Sequence, residues 1–240
     1  MQLVWKGRLG TLKLGQGSMT SDGAAESDLG KTVIVAKSTI PEANGAYIFR
    51  SGTGALSNVT IGQTFSNFDG GRLGRIRYDS PNLAGFSIGL AYGREILKSG
   101  IDDAYYDIAL RCAQEFERLK ITGAASFAFE ETATTEKSVA IGSLAIYDRP
   151  TGLNAALAMG REHKTGANYA YLKLGWNAKL MQAGETRFVV EGFCGANYLT
   201  QGAQSDMWGL AMIQSFHALR TELYLGYRSF AYSDTTPVTY

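Results

Sequence analysis

The sequence is poor in the residues that build metal centres and disulfide frameworks. It has 2 cysteines, 2 histidines and 4 prolines among 240 residues. Cys112 and Cys194 lie far apart, without a CxxC motif or a nearby histidine, and the histidines are His163 and His217. Zinc sites and disulfide scaffolds need clustered ligands or several cysteines at short spacings. We therefore expect neither in this protein.

The chain also lacks net charge and long apolar runs. Its formal charge is +1, which provides no overall field for attracting nucleic acid or an anionic membrane surface. No run approaches the roughly 18 apolar residues of a membrane helix. A search for long apolar runs does not detect the strands of a membrane β-barrel, because their apolar residues alternate with polar ones.

Motifs for catalysis are missing as well. The paired carboxylates Glu130 and Glu131 lie in no calcium-loop pattern, and GGRLG lacks the Lys-Ser/Thr of a phosphate-binding loop. No nucleophile and base stand in a recognisable arrangement. We expect no enzyme activity, no cofactor and no bound metal.

What the sequence does contain is alternation with a period of two residues. This pattern recurs almost everywhere after residue 70, and 29 glycines and 13 tyrosines suit strands and tight turns. We predict an all-β, antiparallel, up-and-down architecture in a single domain over residues 1–240. The strands are expected near 10–17, 71–80, 84–93, 103–116, 118–130, 137–148, 152–161, 167–178, 186–198, 205–216 and 220–232, after a strand or stump at QLVWK.

Several of these strands have one ionic and one apolar face. In GGRLGRIRYDSP (70–81), Arg75 and Arg77 alternate with Ile76 and Tyr78. Because successive side chains of a strand point to opposite faces, the two arginines share one face. Either that face meets water and the apolar face lines a protein core, or the apolar face meets something else. SVAIGSLAIY and LNAALAMG alternate poorly, so their orientation stays open.

The connections between strands also alternate, with short links at every other junction and longer or more polar loops between them. The segment 18–70 is the exception, because it has roughly fifty residues and loops of that length are commonly functional or disordered. Its apolar stretches VIVA, AYIF and VTIGQTF favour an ordered loop that folds back on something. It also carries carboxylates: Asp22, Glu26, Asp28, Glu42 and Asp69.

Four stretches in this order resemble the Gram-negative general porins. They are GTLKLGQG (10–17), SDGAAESDLG (21–30), GRLGRIRYDSPNLAGFSIGLAYG (71–93) and TELYLGYR (221–228). The resemblance runs over nearly the whole chain. It implies a transmembrane β-barrel of the bacterial outer membrane, sixteen-stranded and homotrimeric in the family, in contact with outer-membrane lipid. Such barrels let small hydrophilic solutes and ions diffuse passively, and nucleic acid is not a partner.

In that family the third extracellular loop folds into the lumen and narrows it. Carried over here, residues 18–70 would be the constriction loop. Its acidic side would be Glu26 and Asp28, facing basic residues on the wall. The basic side would be Arg75 and Arg77, with Arg72 and Lys13 as weaker candidates.

The chain departs from the family in its strand count. Eleven strands and a stump, 11–12 in all, cannot make sixteen, so we expect a partial chain that lacks the signal peptide, the early strands and the closing strand. A twelve-stranded closure that uses residues 1–7 is an alternative.

Each candidate residue also has an ordinary interpretation. Arg75 and Arg77 could be solvated charges on an open sheet, Glu26 and Asp28 could solubilise a loop or cap a helical turn, and Lys13 could be a general lumen charge. The rival function is a non-transporting β protein, either an outer-membrane anchor or adhesin or a soluble β-sandwich that binds a partner. A sandwich would need the apolar strand faces buried against a second sheet.

Overall fold

The protein is represented by a computed structural model that describes residues 1–101, 103–132 and 135–235. Nearly all of the closing stretch TTPVTY lies outside these ranges. The described chain is all-β, as predicted, with two one-turn helices, α1 (Pro41–Asn44) and α2 (Ile61–Thr64). No helix in the described part is long and apolar enough to cross a membrane.

The described residues form fourteen strands. They are β1 (Gln2–Gly7), β2 (Gly10–Ser18), β3 (Ile48–Arg50), β4 (Leu56–Thr60), β5 (Arg72–Asp79), β6 (Phe86–Arg94), β7 (Ala104–Glu115), β8 (Leu119–Glu131), β9 (Glu136–Asp148), β10 (Leu153–Glu162), β11 (Asn168–Met181), β12 (Gly184–Ala196), β13 (Gln204–Phe216) and β14 (Thr221–Ser233).

Twelve of the strands make one antiparallel sheet, in the order β1-β2-β5-β6-β7-β8-β9-β10-β11-β12-β13-β14. Each strand of the sheet pairs with the next one along the chain, so the up-and-down prediction is confirmed. β3 and β4 form a separate hairpin. No ladder joins β1 to β14 among the described residues, and these two strands are the edges of the sheet.

The connections divide the sheet into two ends. Residues 8–9, 80–85, 116–118, 149–152, 182–183 and 217–220 join strands at one end, which we call the short-turn end. The segment 19–71, together with the connections after β6, β8, β10 and β12, lies at the other, which we call the long-loop end. We call residues 19–71 the inserted segment. It agrees within two residues with the predicted interval of 18–70.

The sheet has an inner face, which the inserted segment covers, and an outer face without such a cover. On β11, Tyr169, Tyr171 and Lys173 are buried at the inner face, whereas Leu172 and Leu174 are 48% and 49% exposed at the outer face. This is the reverse of a water-soluble sheet, which buries its leucines and exposes its lysines.

β9 and β10, which contain SVAIGSLAIY and LNAALAMG, also bury their inner-face residues and expose their outer-face leucines. On β9, Ser143 and Ala145 face inward and are buried, while Leu144 is exposed. On β10, Ala156 is buried at the inner face and Leu157 is exposed at the outer one. The inward positions here hold small or apolar residues, including the buried Ile141, which is why the alternation between polar and apolar residues was weak.

The hydrophobic core lies between the inserted segment and the inner face of β10–β14. From the segment, Ile40, Phe49, Ile61 and Phe65 are buried in it. They pack against residues of the wall and its loops, among them Tyr169, Tyr171, Phe193, Met207 and Tyr232. Burial of this apolar surface stabilises the segment, and the prediction of an ordered loop is confirmed.

Candidate functional site

The inserted segment crosses the inner face of the sheet in sequence order. Its contacts begin at β5, β6 and β7, continue over β9 and β11, and reach β12 and β14 near the middle of the segment. The contacting pairs are Ser21 with Asp107, Ser27 with Ser143, Asp28 with Lys173, Gly30 with Asn177, Lys31 with Arg187 and Asn44 with Arg228.

The segment then returns towards β5. Phe68 stacks on Tyr198 with ring centroids 5.5 Å apart, and it also contacts Tyr169 on β11 at 5.8 Å. Asp69 joins the end of the segment to its beginning, because its carboxylate accepts hydrogen bonds from the backbone N–H groups of Gly23 (2.7 Å) and Ala25 (2.9 Å). The segment is therefore a closed, multiply anchored layer on the inner face.

Basic side chains gather on the inner face of β2, β5 and β7. Lys13 and Arg77 are cross-strand neighbours, and both bind Asp79. The Lys13 ammonium lies 2.8 Å from Asp79 Oδ2, and Arg77 Nη2 lies 2.7 Å from Asp79 Oδ1. We call Lys13, Arg75, Arg77 and Arg111 the basic wall.

Arg75 and Arg111, like Arg77, bind backbone carbonyls. Arg75 donates from Nε to Ser18 O (2.7 Å) and from Nη1 to Gly15 O (3.1 Å). Arg111 donates to Thr20 O and to Asp22 O (3.0 Å). Neither guanidinium is in an ion pair with a carboxylate of the described residues. Their positive charge is thus kept beside the start of the inserted segment.

Arg72 is separated from this group. It is the first residue of β5, it is exposed, and it has the opposite strand parity to Arg75 and Arg77. It lies at the long-loop end, where it borders a cavity beside Gly70 and Gly71.

The predicted acidic residues lie on the other side of the inner face. Asp28 Oδ1 is 2.7 Å from the ammonium of Lys173 on β11, and that ammonium also donates to Ala36 O at 3.1 Å. Glu26 is exposed and accepts a hydrogen bond from the Thr39 hydroxyl. Among the described residues, neither carboxylate has a hydrogen bond or ion pair with Arg75 or Arg77.

A further charged group holds the middle of the segment against β11–β14. Glu191 accepts from Arg228 Nε at 2.6 Å and from the Tyr171 hydroxyl at 2.7 Å. Arg228 also donates to the Asn44 side chain at 2.9 Å. A buried carboxylate is tolerable here because its oxygens are satisfied by a cation and a hydroxyl.

Asp69 is a carboxylate of the inserted segment with a raised pKa. Burial raises its pKa to about 6, and the nearby charges of Glu26 and Asp22 push it in the same direction. The hydrogen bonds from Ala25 and Gly23 favour the ionised form and oppose that rise. The inserted segment therefore carries a carboxylate that titrates near neutral pH.

Several of these charged residues were not predicted as site residues, among them Arg111, Lys173 and Asp69. The alternation of β7 and β11 already places Arg111 and Lys173 on the polar faces of their strands. Their contacts with the segment had no sequence signal, because the partners are some 90 to 145 residues away. In the part of the chain that the structure describes, no group of His, Cys, Asp and Glu could hold a metal ion.

Comparison with known proteins gives a consistent result. A family model described as Gram-negative porin matches residues 3–235. A search of curated protein sequences finds no match.

Solved structures of outer-membrane proteins share the fold. An anion-selective porin from Comamonas acidovorans is 14% identical, with a TM-score of 0.56, over 98% of this chain and 68% of that one. OmpT of Vibrio cholerae, in a trimer form, is 10% identical with a TM-score of 0.54, over 99% and 76% of the two chains. OccK11 of Pseudomonas aeruginosa is 9% identical with a TM-score of 0.55, over 99% and 67%.

Proposed function

Because this chain belongs to the Gram-negative porin family, we propose that the passive channel it forms is narrowed by the inserted segment and filtered by charge at that narrowing. The protein is a channel of the bacterial outer membrane rather than an enzyme. The constriction and its selectivity are the parts that we propose.

One observation carries the proposal: the inserted segment lies on the inner face of the sheet, with carboxylates of its own and the basic wall beside its start. Opposed charges across a narrow aqueous passage create a transverse field. This field is weakly screened, because little water is present there and the surrounding protein has a low dielectric constant. A hydrophilic solute with a dipole can align in such a field. An apolar solute gains nothing from it and must shed ordered water.

We assign the acidic side of the constriction to Glu26 and Asp28. Glu26 is the stronger of the two, because Asp28 is neutralised by Lys173 at 2.7 Å. We assign the basic side to Arg75 and Arg77, with Lys13 beside them. Arg72 belongs to the approach at the long-loop end, since it lies on the other strand parity.

The exchange of Glu26 for Gln tests the acidic side. Removing a fixed negative charge from the constriction lowers the local cation concentration, so we expect the cation-to-anion permeability ratio to fall about twofold. Arg75→Gln should move the ratio the other way. The reversal potential across a planar bilayer under a KCl gradient measures both, with the charge-preserving Glu26→Asp and Arg75→Lys as matched controls. If neither Gln variant moves the reversal potential, the assignment of the constriction is wrong.

We also propose that small hydrophilic solutes and ions are the cargo, and that the protein assembles as a homotrimer within outer-membrane lipid. The trimer form of Vibrio cholerae OmpT supports the assembly, and the exposed leucines of the outer face support the lipid contact. The rival β-sandwich would bury Leu172 and Leu174, which are about half exposed.

A further inference from the structure

A cavity of about 420 Å³ lies at the long-loop end, apart from the Glu26 side of the segment. It is enclosed by the returning part of the inserted segment, from Ser66 to Arg72, and by the ends of the strands around it. Residues of β7, β8 and β9 form the far wall, among them Tyr105, Phe129 and Lys137. A volume of this size accommodates a small organic molecule.

The walls of this cavity carry more negative than positive side chains. Asp69, Glu95, Asp107 and Glu130 line it, against the cations Arg72 and Lys137. Because the cavity is concave and surrounded by protein of low dielectric constant, its field is less screened by water than that of a flat surface. The cavity is thus suited to a cation.

Asp107 gives a second and independent indication. Only 7% of this residue is exposed, and its Oδ2 accepts from the Ser21 backbone N–H (2.7 Å) and hydroxyl (2.6 Å). Its Oδ1 is buried and has no hydrogen-bond partner among the described residues. An ionised carboxylate oxygen that lacks a donor is unfavourable in a buried position. A ligand that brings an N–H donor would satisfy it.

Glu130 lies on another wall of the cavity, and its carboxylate can accept further hydrogen bonds. Its Oε1 accepts from the Tyr105 hydroxyl at 3.0 Å, and its Oε2 is 3.9 Å from the Lys137 ammonium, beyond hydrogen-bond distance. The residues Phe68 and Tyr105 also line the cavity with aromatic side chains. Aromatic faces attract cations and pack against apolar groups.

We propose that this cavity binds solutes that carry an ammonium group on an aromatic or apolar body. Two features distinguish such a ligand from a metal ion: the aromatic walls, and the finding that no cluster of metal-ligating side chains exists in the described residues. The site lies outside the proposed charge filter, and its occupancy does not depend on conduction.

Binding of benzylamine to the detergent-solubilised protein tests the proposal, measured by titration calorimetry at low ionic strength. We expect benzylamine to bind at least fivefold more tightly than its neutral analogue benzyl alcohol, because the latter lacks the charge. Glu130→Gln should weaken benzylamine binding about fivefold while preserving an acceptor for Tyr105. Asp107→Asn should also weaken benzylamine binding about fivefold. If the loss of the hydrogen bonds to Ser21 prevents this variant from folding, Glu130→Gln alone tests the proposal.

The matched control is Glu117→Gln, which removes the same charge from an exposed turn at the short-turn end. It should leave benzylamine affinity unchanged. Equal affinity for benzylamine and benzyl alcohol, or equal weakening by Glu117→Gln and Glu130→Gln, would overturn the proposal. Because no current is measured, failure here is separate from failure of the constriction assignment.

Discussion

The arginines of the basic wall do more than carry charge. Arg75, Arg77 and Arg111 all donate to backbone carbonyls between Gly15 and Asp22, where β2 runs into the inserted segment. A guanidinium offers five donors in a fixed plane, so it can hold several carbonyls at once, which a lysine ammonium does less well. The same side chains therefore fix the path of the segment and supply the positive potential beside it.

Asp69 gives a pH-dependent contribution to stability. Its pKa is about 6 in the folded protein, against an ordinary value of 3.8, so the folded state binds more protons between these pH values. The contribution is fully present below about pH 4 and is lost as pH rises through about 6. We expect wild type to lose on the order of 2 kcal/mol relative to Asp69→Asn between pH 4 and pH 7.

Urea unfolding in detergent at both pH values measures this difference. Subtracting the variant from wild type removes the effects of other titrating groups, which both proteins share. A difference in unfolding free energy that stays constant from pH 4 to pH 7, or that moves in the other direction, would contradict the raised pKa of Asp69.

For single residues, the sequence predicts which face of a strand a side chain lies on, but not which distant residue it contacts. The alternation of Arg75 and Arg77 with Ile76 and Tyr78 was enough to place the arginines together, because strand geometry is local. The pairing of Asp28 with Lys173 joins residues 145 positions apart. Such a contact depends on how the segment crosses the sheet, which no local pattern encodes.

Among the elements of the fold, the inserted segment depends most on side-chain packing for its stability. Phe65 is 1% exposed, and its ring lies 5.1 Å from that of Phe193 and 5.6 Å from that of Phe230. Because this ring joins α2 to β12 and β14, Phe65→Ala should cost about 3–5 kcal/mol of unfolding free energy. Loosening of the segment should also increase current noise in single-channel recordings.

The conservative Phe65→Leu is the control, since it keeps most of the buried volume and should cost clearly less than the alanine exchange. Urea unfolding in detergent compares the two variants. If they are equally stable, the segment is held by its polar anchors rather than by this aromatic cluster.

The strands were largely predictable, and the exceptions have a common cause. SVAIGSLAIY and LNAALAMG alternate weakly because their inner-face positions hold small or apolar residues, such as Ala145, Ala156 and Ile141. The segment also approaches β6 closely, because a Cβ added at Gly89 would lie 1.9 Å from Thr20 Oγ1. The hairpin β3–β4 and the two short helices, by contrast, are ordered by tertiary packing and left little pattern in the sequence.

For the whole molecule, the distribution of apolar residues decides which solvent it suits. Leucines point outward along the strands, while charged side chains such as Asp107, Lys173 and Glu191 are buried at the inner face. Exposure of such an apolar surface to water is unfavourable. Hydrocarbon is a suitable surrounding for it, provided that the backbone N–H and C=O groups of the strands are hydrogen-bonded to each other. The ladders from β2 to β13 satisfy that condition on both sides of each strand.

The position of Leu174 along β11 gives a direct test of that environment. It lies near the middle of the strand on the outer face, so Leu174→Arg should cost about 2–4 kcal/mol when the protein is folded in lipid vesicles. Leu180 lies on the same strand near the short-turn end, beyond the register shift that follows Ala178, and it is 57% exposed. Leu180→Arg should cost only about 0–1 kcal/mol, because the charge there reaches the interface. Urea titration of the vesicle-bound protein measures both variants. Equal costs at the two positions would mean that no hydrocarbon layer surrounds the middle of the strand, since water treats the two exposed sites alike.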